Sequence, residues 1–261
     1  MCFYVNARNL VNKFEQLEAW VYALNPDIIG VTESWACSQV LDSELSLQGY
    51  DIFRQDREVD RAGGGVLLYV RSTLNAVKFT PKTHYPEQVW CCLQDTHQNQ
   101  IHVGICYRTP TVNIYGTGNH DLLRDMINEV GRSKKHFILM GDFNYRFTHW
   151  PPLSNHQRIT NEAADFYHCL EDNFCAQHVE FCTREDAILD LIISDEQNMV
   201  RDLVNMGPFP GSDHNALSWT IDVGTSQDTV LRNRFDYTKA DIPALKRELG
   251  KVPFLVPEYL L

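Results

Sequence analysis

Short apolar runs alternate with amphipathic stretches along the chain. CFYV opens as a strand, and from Leu10 to Leu24 the apolar positions 10, 14, 17, 20, 21 and 24 fall at helical spacing until Pro26 stops them. DIIGVT then reads as a buried strand, and YDIFR, GVLLYV, QVWCCL and IHVGICY follow as strands separated by polar or Gly-rich loops. Residues 119–131 carry Leu122, Leu123, Met126, Ile127 and Val130 on one helical face. HFILMG is a strong buried strand, 160–172 a second such helix opened by Thr160, and ILDLIIS and LSWTIDV are late strands. Strands outnumber helices and run consecutively between residues 50 and 107, which excludes a simple βαβ repeat. The pattern predicts an α/β four-layer α/β/β/α sandwich, two mixed sheets packed face to face with helices outside. Patterning stops near GTSQDT, so residues 1–223 form the expected domain. Residues 224–261 form a linker or tail with one short helix at 240–249.

Polar groups interrupt or end these buried strands repeatedly. Asn6 ends CFYVN, Glu33 ends DIIGVTE and Tyr107 ends IHVGICY. Asp142 and Asn144 follow HFILMG, Asp190 lies inside ILDLIIS, and Asp213 and His214 precede NALSWTI. Singly, each has an ordinary use: Asn6 suits a helix cap and GDFN a turn. Asp190 is harder to dismiss, because a carboxylate in a core strand is costly unless paired. Together they predict convergence at one rim. Several carboxylates and amides without a cysteine cluster suit a hard cation such as Mg²⁺, with Mn²⁺ as a substitute. A buried Asp beside a His can orient and charge the imidazole. G-x-x-x-x-G-K-[ST], G-x-G-x-x-G and H-E-x-x-H are all absent, which removes support for triphosphatase, dinucleotide and zincin chemistry.

The contexts of Asn6, TES at Glu33, CYR after Tyr107, GDFN, LDLIIS and SDHNAL resemble the endonuclease/exonuclease/phosphatase superfamily over residues 1 to about 222. NARNLVNKFEQLE, PDIIGVTESW, YDIFRQDR with GGGVLLYVR, VGICYRTP and GDFNYRFTHW resemble more specifically the endonuclease domains of LINE-type (non-LTR) retrotransposons. In that group the domain nicks DNA to expose a 3′-hydroxyl and precedes a reverse transcriptase. The resemblance implies Glu33 as the main metal carboxylate, with Asn6 beside it and Asp213 near the metal. It implies Asp142 and Asn144 at the attacking water and phosphate, Tyr107 on the phosphate, and His214 on the scissile phosphate with Asp190 orienting it. Ser212 and Thr183 match supporting hydroxyls. Two candidates stand for the general base, Asp142 and His214.

Charge complicates the choice of substrate. The net charge is −11, and the tail holds six basic and five acidic residues, so the acidity belongs to the body. Phosphate neutralisation supplies most non-specific DNA affinity. A DNA-cleaving reading therefore needs a local basic rim, expected at Arg8, Arg108 and Arg146, with Lys13, Arg54, Arg57 and Arg61 nearby. The alternatives are a phosphatase or phosphodiesterase acting on inositol or lipid phosphates, and an inactive, domesticated nucleic-acid-binding module. No apolar run reaches a membrane span, and MCFYVNARNL lacks a basic segment followed by an apolar one. An intracellular location, nuclear or cytoplasmic and not secreted, is expected. The eight cysteines form no C-x-x-C and read as reduced thiols.

Overall fold

In β1 (Cys2–Asn6) side chains alternate between two buried environments, and that alternation sets the layering. Phe3 and Val5 point outward and pack with Leu17 and Val21 of helix α1 (Phe14–Leu24). Cys2 and Tyr4 point inward, into the core between the sheets. Strands covered on both faces lose the polar–apolar alternation of a half-exposed strand, which is why VLLYV and ILDLIIS are near-continuous apolar runs.

A computed structural model describes residues 1–57, 63–94, 99–110, 119–133, 135–152 and 160–222, with the isolated residues 241, 244 and 247. Residues Met1–Gly224 form one compact unit. After α1 come β2 (Ile28–Thr32), β3 (Tyr50–Gln55), β4 (Val66–Arg71), β5 (Val77–Phe79), β6 (Gln88–Gln94) and β7 (Gln100–Tyr107). Helix α2 (Asn119–Gly131), β8 (His136–Phe147), α3 (Asn161–Asp172), β9 (Ala176–Gln177), β10 (Ile188–Ser194), β11 (Val200–Pro208) and β12 (Asn215–Ile221) complete the unit. One six-stranded sheet has the order β11-β12-β1-β2-β4-β3, the other β5-β6-β7-β8-β10-β9. Each is mixed, as expected. Its one parallel pair, β1–β2 or β7–β8, brackets a helix, because parallel neighbours need a crossover. The second sheet packs with α2 and α3 through Leu123, Met126, Phe166 and Leu170. The expected helix at 240–249 lies largely outside the described residues.

Two departures from the sequence reading bear on the site. GDFN is not a turn: β8 runs through it for 12 residues. Gly141 makes this possible, since a Cβ there would lie 1.9 Å from the Cys106 carbonyl oxygen of the neighbouring strand. The second departure is β11, an edge strand with no apolar alternation. No helix among the described residues is long and apolar enough to cross a membrane. All eight cysteines are free thiols.

Candidate active site

Strand register assembles the site across the mouth between the two sheets. Asp142 is the cross-strand partner of both Tyr107 and Asp190. Asn6 pairs with Thr32 at the ends of β1 and β2, which places Glu33 one residue beyond. His214 sits just before β12, the antiparallel neighbour of β1. Side chains then cross from sheet to sheet. Asn6 Nδ2 donates to Asp142 Oδ2 at 2.9 Å, Tyr107 Oη to Glu33 Oε1 at 3.1 Å, and Tyr4 Oη to Asp190 Oδ1 at 2.7 Å.

The deepest part is an Asp–His pair. Asp190 and His214 are fully buried, and His214 Nδ1 meets Asp190 Oδ2 at 2.7 Å. An unpaired carboxylate at this depth would cost several kcal/mol. Asp190 avoids that cost through His214 on one oxygen and Tyr4 on the other. Thr183 Oγ1 accepts the backbone N–H groups of Leu189 and Asp190, which secures the start of β10. Burial opposes the imidazolium form of His214. The charge and hydrogen bond of Asp190, with the charges of Asp142 and Asp213, outweigh it and raise the pKa to about 9. His214 is therefore cationic at neutral pH. Its Nε2 faces Asp142 Oδ2 across 3.9 Å, so one oxygen about 2.8 Å from each would bridge them.

Asp142 has the opposite problem. Burial, then the nearby charge of Asp190, push its carboxyl well above the usual range; Glu33 adds to this, while His214 and the Asn144 N–H pull it down. Asn144 donates its backbone N–H to Asp142 Oδ1 at 3.0 Å and its side-chain amide to the Arg108 carbonyl. Glu33 is half-buried and also accepts from Asn6 Nδ2 at 3.4 Å and Trp35 Nε1 at 3.1 Å. Burial first, then Glu33 and Asp142, raise the Tyr107 phenol, so it stays a neutral donor. Asp142, Asp190 and His214 offer ligand atoms within 4.8 Å of one another, and Glu33 adjoins them through Asn6. Three carboxylates against one imidazolium leave excess negative charge. Oxygen donors with that excess fit a hard divalent cation.

Three expected site residues are placed in a different manner. Asn6 presents its amide nitrogen to both carboxylates, while its Oδ1 accepts the Arg8 N–H. Asp213 is paired with Arg184 at 2.6 Å and Arg8 at 3.5 Å. Ser212 donates to the Asn6 carbonyl and accepts the His214 N–H, pinning that turn to β1. The basic rim needs correction. Arg108 is buried, stacked 4.0 Å from the Tyr145 ring centroid and paired with Glu162, with its backbone N–H on the Asp142 carbonyl. It props the Asn144 carbonyl from behind. Arg146 is exposed but paired with Asp186, and Lys13 spends its ammonium on three backbone carbonyls. Arg61 lies outside the described residues.

Tyr4 was not singled out from sequence. Its signal is present: it lies two residues before Asn6, on the same strand face, with a hydroxyl that burial obliges to find a partner. Glu87 also escaped notice and is nearly buried.

The sequence matches the Endonuclease/Exonuclease/phosphatase family over residues 3–214. No curated protein matches it. Among solved structures, it is similar to the endonuclease domain of TRAS1, a telomere-specific non-LTR retrotransposon. That match has a TM-score of 0.64 at 14% identity and covers 85% of this chain and 98% of that one. It is also similar to the AP endonuclease LMAP from Leishmania major, with a TM-score of 0.65 at 15% identity, covering 84% and 87%. The 3′ phosphatase NExo from Neisseria, bound to product DNA hairpin, matches with a TM-score of 0.62 at 15% identity, covering 85% and 98%. At these identities the likeness establishes the fold, and the match over 3–214 establishes the lineage: the chain belongs to the Endonuclease/Exonuclease/phosphatase family, whose members hydrolyse phosphate esters.

Proposed function

We propose that the chain is a Mg²⁺-dependent endonuclease that nicks DNA and leaves a 3′-hydroxyl, as in retrotransposon target-site cleavage. The observation that carries this reading is the His214–Asp190 pair, with its second ring nitrogen 3.9 Å from Asp142 at the same mouth as Glu33. The likeness to a retrotransposon endonuclease domain and to DNA-acting enzymes supports DNA as the substrate. Glu33 would hold the metal, with Asn6 fixing its carboxylate; Mn²⁺ can substitute. The ion supplies Lewis-acid polarisation of a phosphoryl oxygen.

Position divides the remaining roles. Asp142, whose Oδ1 accepts the Asn144 N–H, is the base that takes the proton of the attacking water. His214, cationic, holds a non-bridging oxygen of the scissile phosphate, and Tyr107 donates its phenol proton beside it. Water oxygen bonds to phosphorus, the bond to the 3′-oxygen breaks, and that oxygen takes a proton from solvent as it leaves, while Asp142 returns the water's proton to solvent. A reverse transcriptase is the partner this activity implies, and chromosomal DNA the intracellular target.

Supercoiled plasmid incubated with Mg²⁺ or with EDTA tests the reading. Nicking is expected only with Mg²⁺, and a DNA polymerase should extend the nick without prior phosphatase treatment. Phosphate release from inositol phosphates without nicking would contradict DNA as the substrate. Silence toward both would point to an inactive binding module.

A further inference from the structure

Next to Tyr107 lies a guanidinium held too carefully to be a surface charge. Arg57 Nε donates to Glu87 Oε1 at 2.8 Å, and Arg57 Nη2 to Thr109 Oγ1 at 3.2 Å. The other oxygen of Glu87 accepts the Gly65 N–H at 2.7 Å. One face of the guanidinium lies under the Gly63–Gly65 turn. A Cβ on Gly64 would lie 2.3 Å from Arg57 Cζ, and all three glycines have positive φ. The other face looks onto the Tyr107 ring, 5.5 Å from its centroid. The same turn reaches the metal side of the site: the Gly64 carbonyl accepts the Trp35 N–H, and Trp35 donates to Glu33.

Arg–carboxylate pairs are frequently bidentate, with two parallel N–H bonds. Here Glu87 takes a single N–H and gives its second oxygen to the backbone. Nη2 is steadied by Thr109, the Nη edge lies against Tyr107, and the side chain is 17% exposed. Glu87 and the glycine turn thus aim the cation instead of consuming it. Tyr107 also donates to Glu33, so Arg57 lies one side chain from the expected metal ligand.

We propose that Arg57 is a substrate-contacting residue, cradled by the Gly63–Gly65 turn and braced by Glu87, that binds a backbone phosphate of the DNA beside the scissile one. The proposal rests on the endonuclease reading. It explains the middle glycine of GGG: at Gly64 the turn passes over a planar cation with no room for a side chain.

The test is equilibrium binding of duplex DNA across a KCl series in Ca²⁺, with nicking kinetics in Mg²⁺. Wild type, Arg57→Lys, Arg57→Ala and the double variant Arg57→Gln/Glu87→Gln are compared. The double variant leaves no orphaned buried charge, so it covers the case in which Arg57→Ala fails to fold. Loss of one phosphate contact should make the log–log salt slope shallower by about 0.9. Affinity near 0.1 M salt should fall about tenfold, chiefly in KM. Arg57→Lys should keep the wild-type slope. A folded double variant with the wild-type slope and KM overturns the assignment while leaving the endonuclease reading intact. A wild-type protein that neither binds nor nicks DNA overturns both.

Discussion

The start and the middle of β8 carry clusters of the same residue types in different settings. Near its start His136 meets Asp195 at 3.0 Å and Glu196 at 3.6 Å. Six residues on, about 20 Å along the strand, Asp142 faces His214 and Asp190. His136 is 37% exposed at its side chain, and His214 only 3%. Asp195 is buried, but water reaches His136 and Glu196 and screens their side of the first cluster, so its ion pairs contribute less. The second has no such screen, and each charge there alters its neighbours' protonation. Backbone strain divides the same way. Arg8, Asn9, Glu33, Trp35 and Asn144 all have positive φ around the mouth, at about 1 kcal/mol or more each, and no residue of the His136 cluster does. Depth and strain, more than residue type, mark the working cluster.

The largest expected effect comes from removing a charge in the deep cluster. Asp142→Asn should lower the nicking rate by about 10²–10⁴-fold, the range for loss of a general base, with an unchanged circular dichroism spectrum. A rate within threefold of wild type would take the base role from Asp142.

Asp190→Asn should cost about 10²-fold in kcat and little stability, because Asn keeps the volume and an acceptor for Tyr4. NMR titration in EDTA should find the His214 pKa falling from about 9, since only the charges of Asp142 and Asp213 then oppose burial. An unmoved pKa would uncouple the two residues.

The same shift makes stability depend on pH. Folded His214 holds its proton more tightly than the unfolded chain, whose value is near 6.5. Its stabilisation is full below about pH 6.5 and disappears as pH rises through about 9. Urea midpoints in EDTA should therefore fall over that window in wild type, and by less in Asp190→Asn. Equal profiles would contradict the shift.

The smallest effect belongs to the cluster at the start of β8. His136→Gln should cost less than about 1 kcal/mol and leave nicking unchanged. A tenfold loss of activity would erase the contrast between the clusters.

The contrast also shows what could be read before any coordinates. Sandwich layering was legible because strands buried on both faces are apolar throughout. β11 was not, because two shifts in its pairing register with β12 break the period-two alternation, and β9 is only two residues long. Polar residues ending apolar strands marked Asn6, Glu33, Tyr107, Asp142, Asp190 and His214, and the structure brings them together. Tyr4 was hidden because a tyrosine in an apolar strand looks like core, and it shows its role only through the Asp190 contact. Arg108 misled because spacing cannot tell whether a side chain at a strand end turns outward to solvent or inward onto Tyr145.

The most direct test of the central claim sets one carboxylate from each cluster against the other. Glu33→Gln and Glu196→Gln each remove one charge while keeping the shape. Both are assayed on supercoiled plasmid over a Mg²⁺ titration, at matched folded concentration. Glu33→Gln should abolish nicking or shift the Mg²⁺ requirement far upward, and Glu196→Gln should follow the wild-type curve. Wild-type nicking by Glu33→Gln, or equal losses in both variants, would contradict a metal-dependent centre at the mouth of the sandwich.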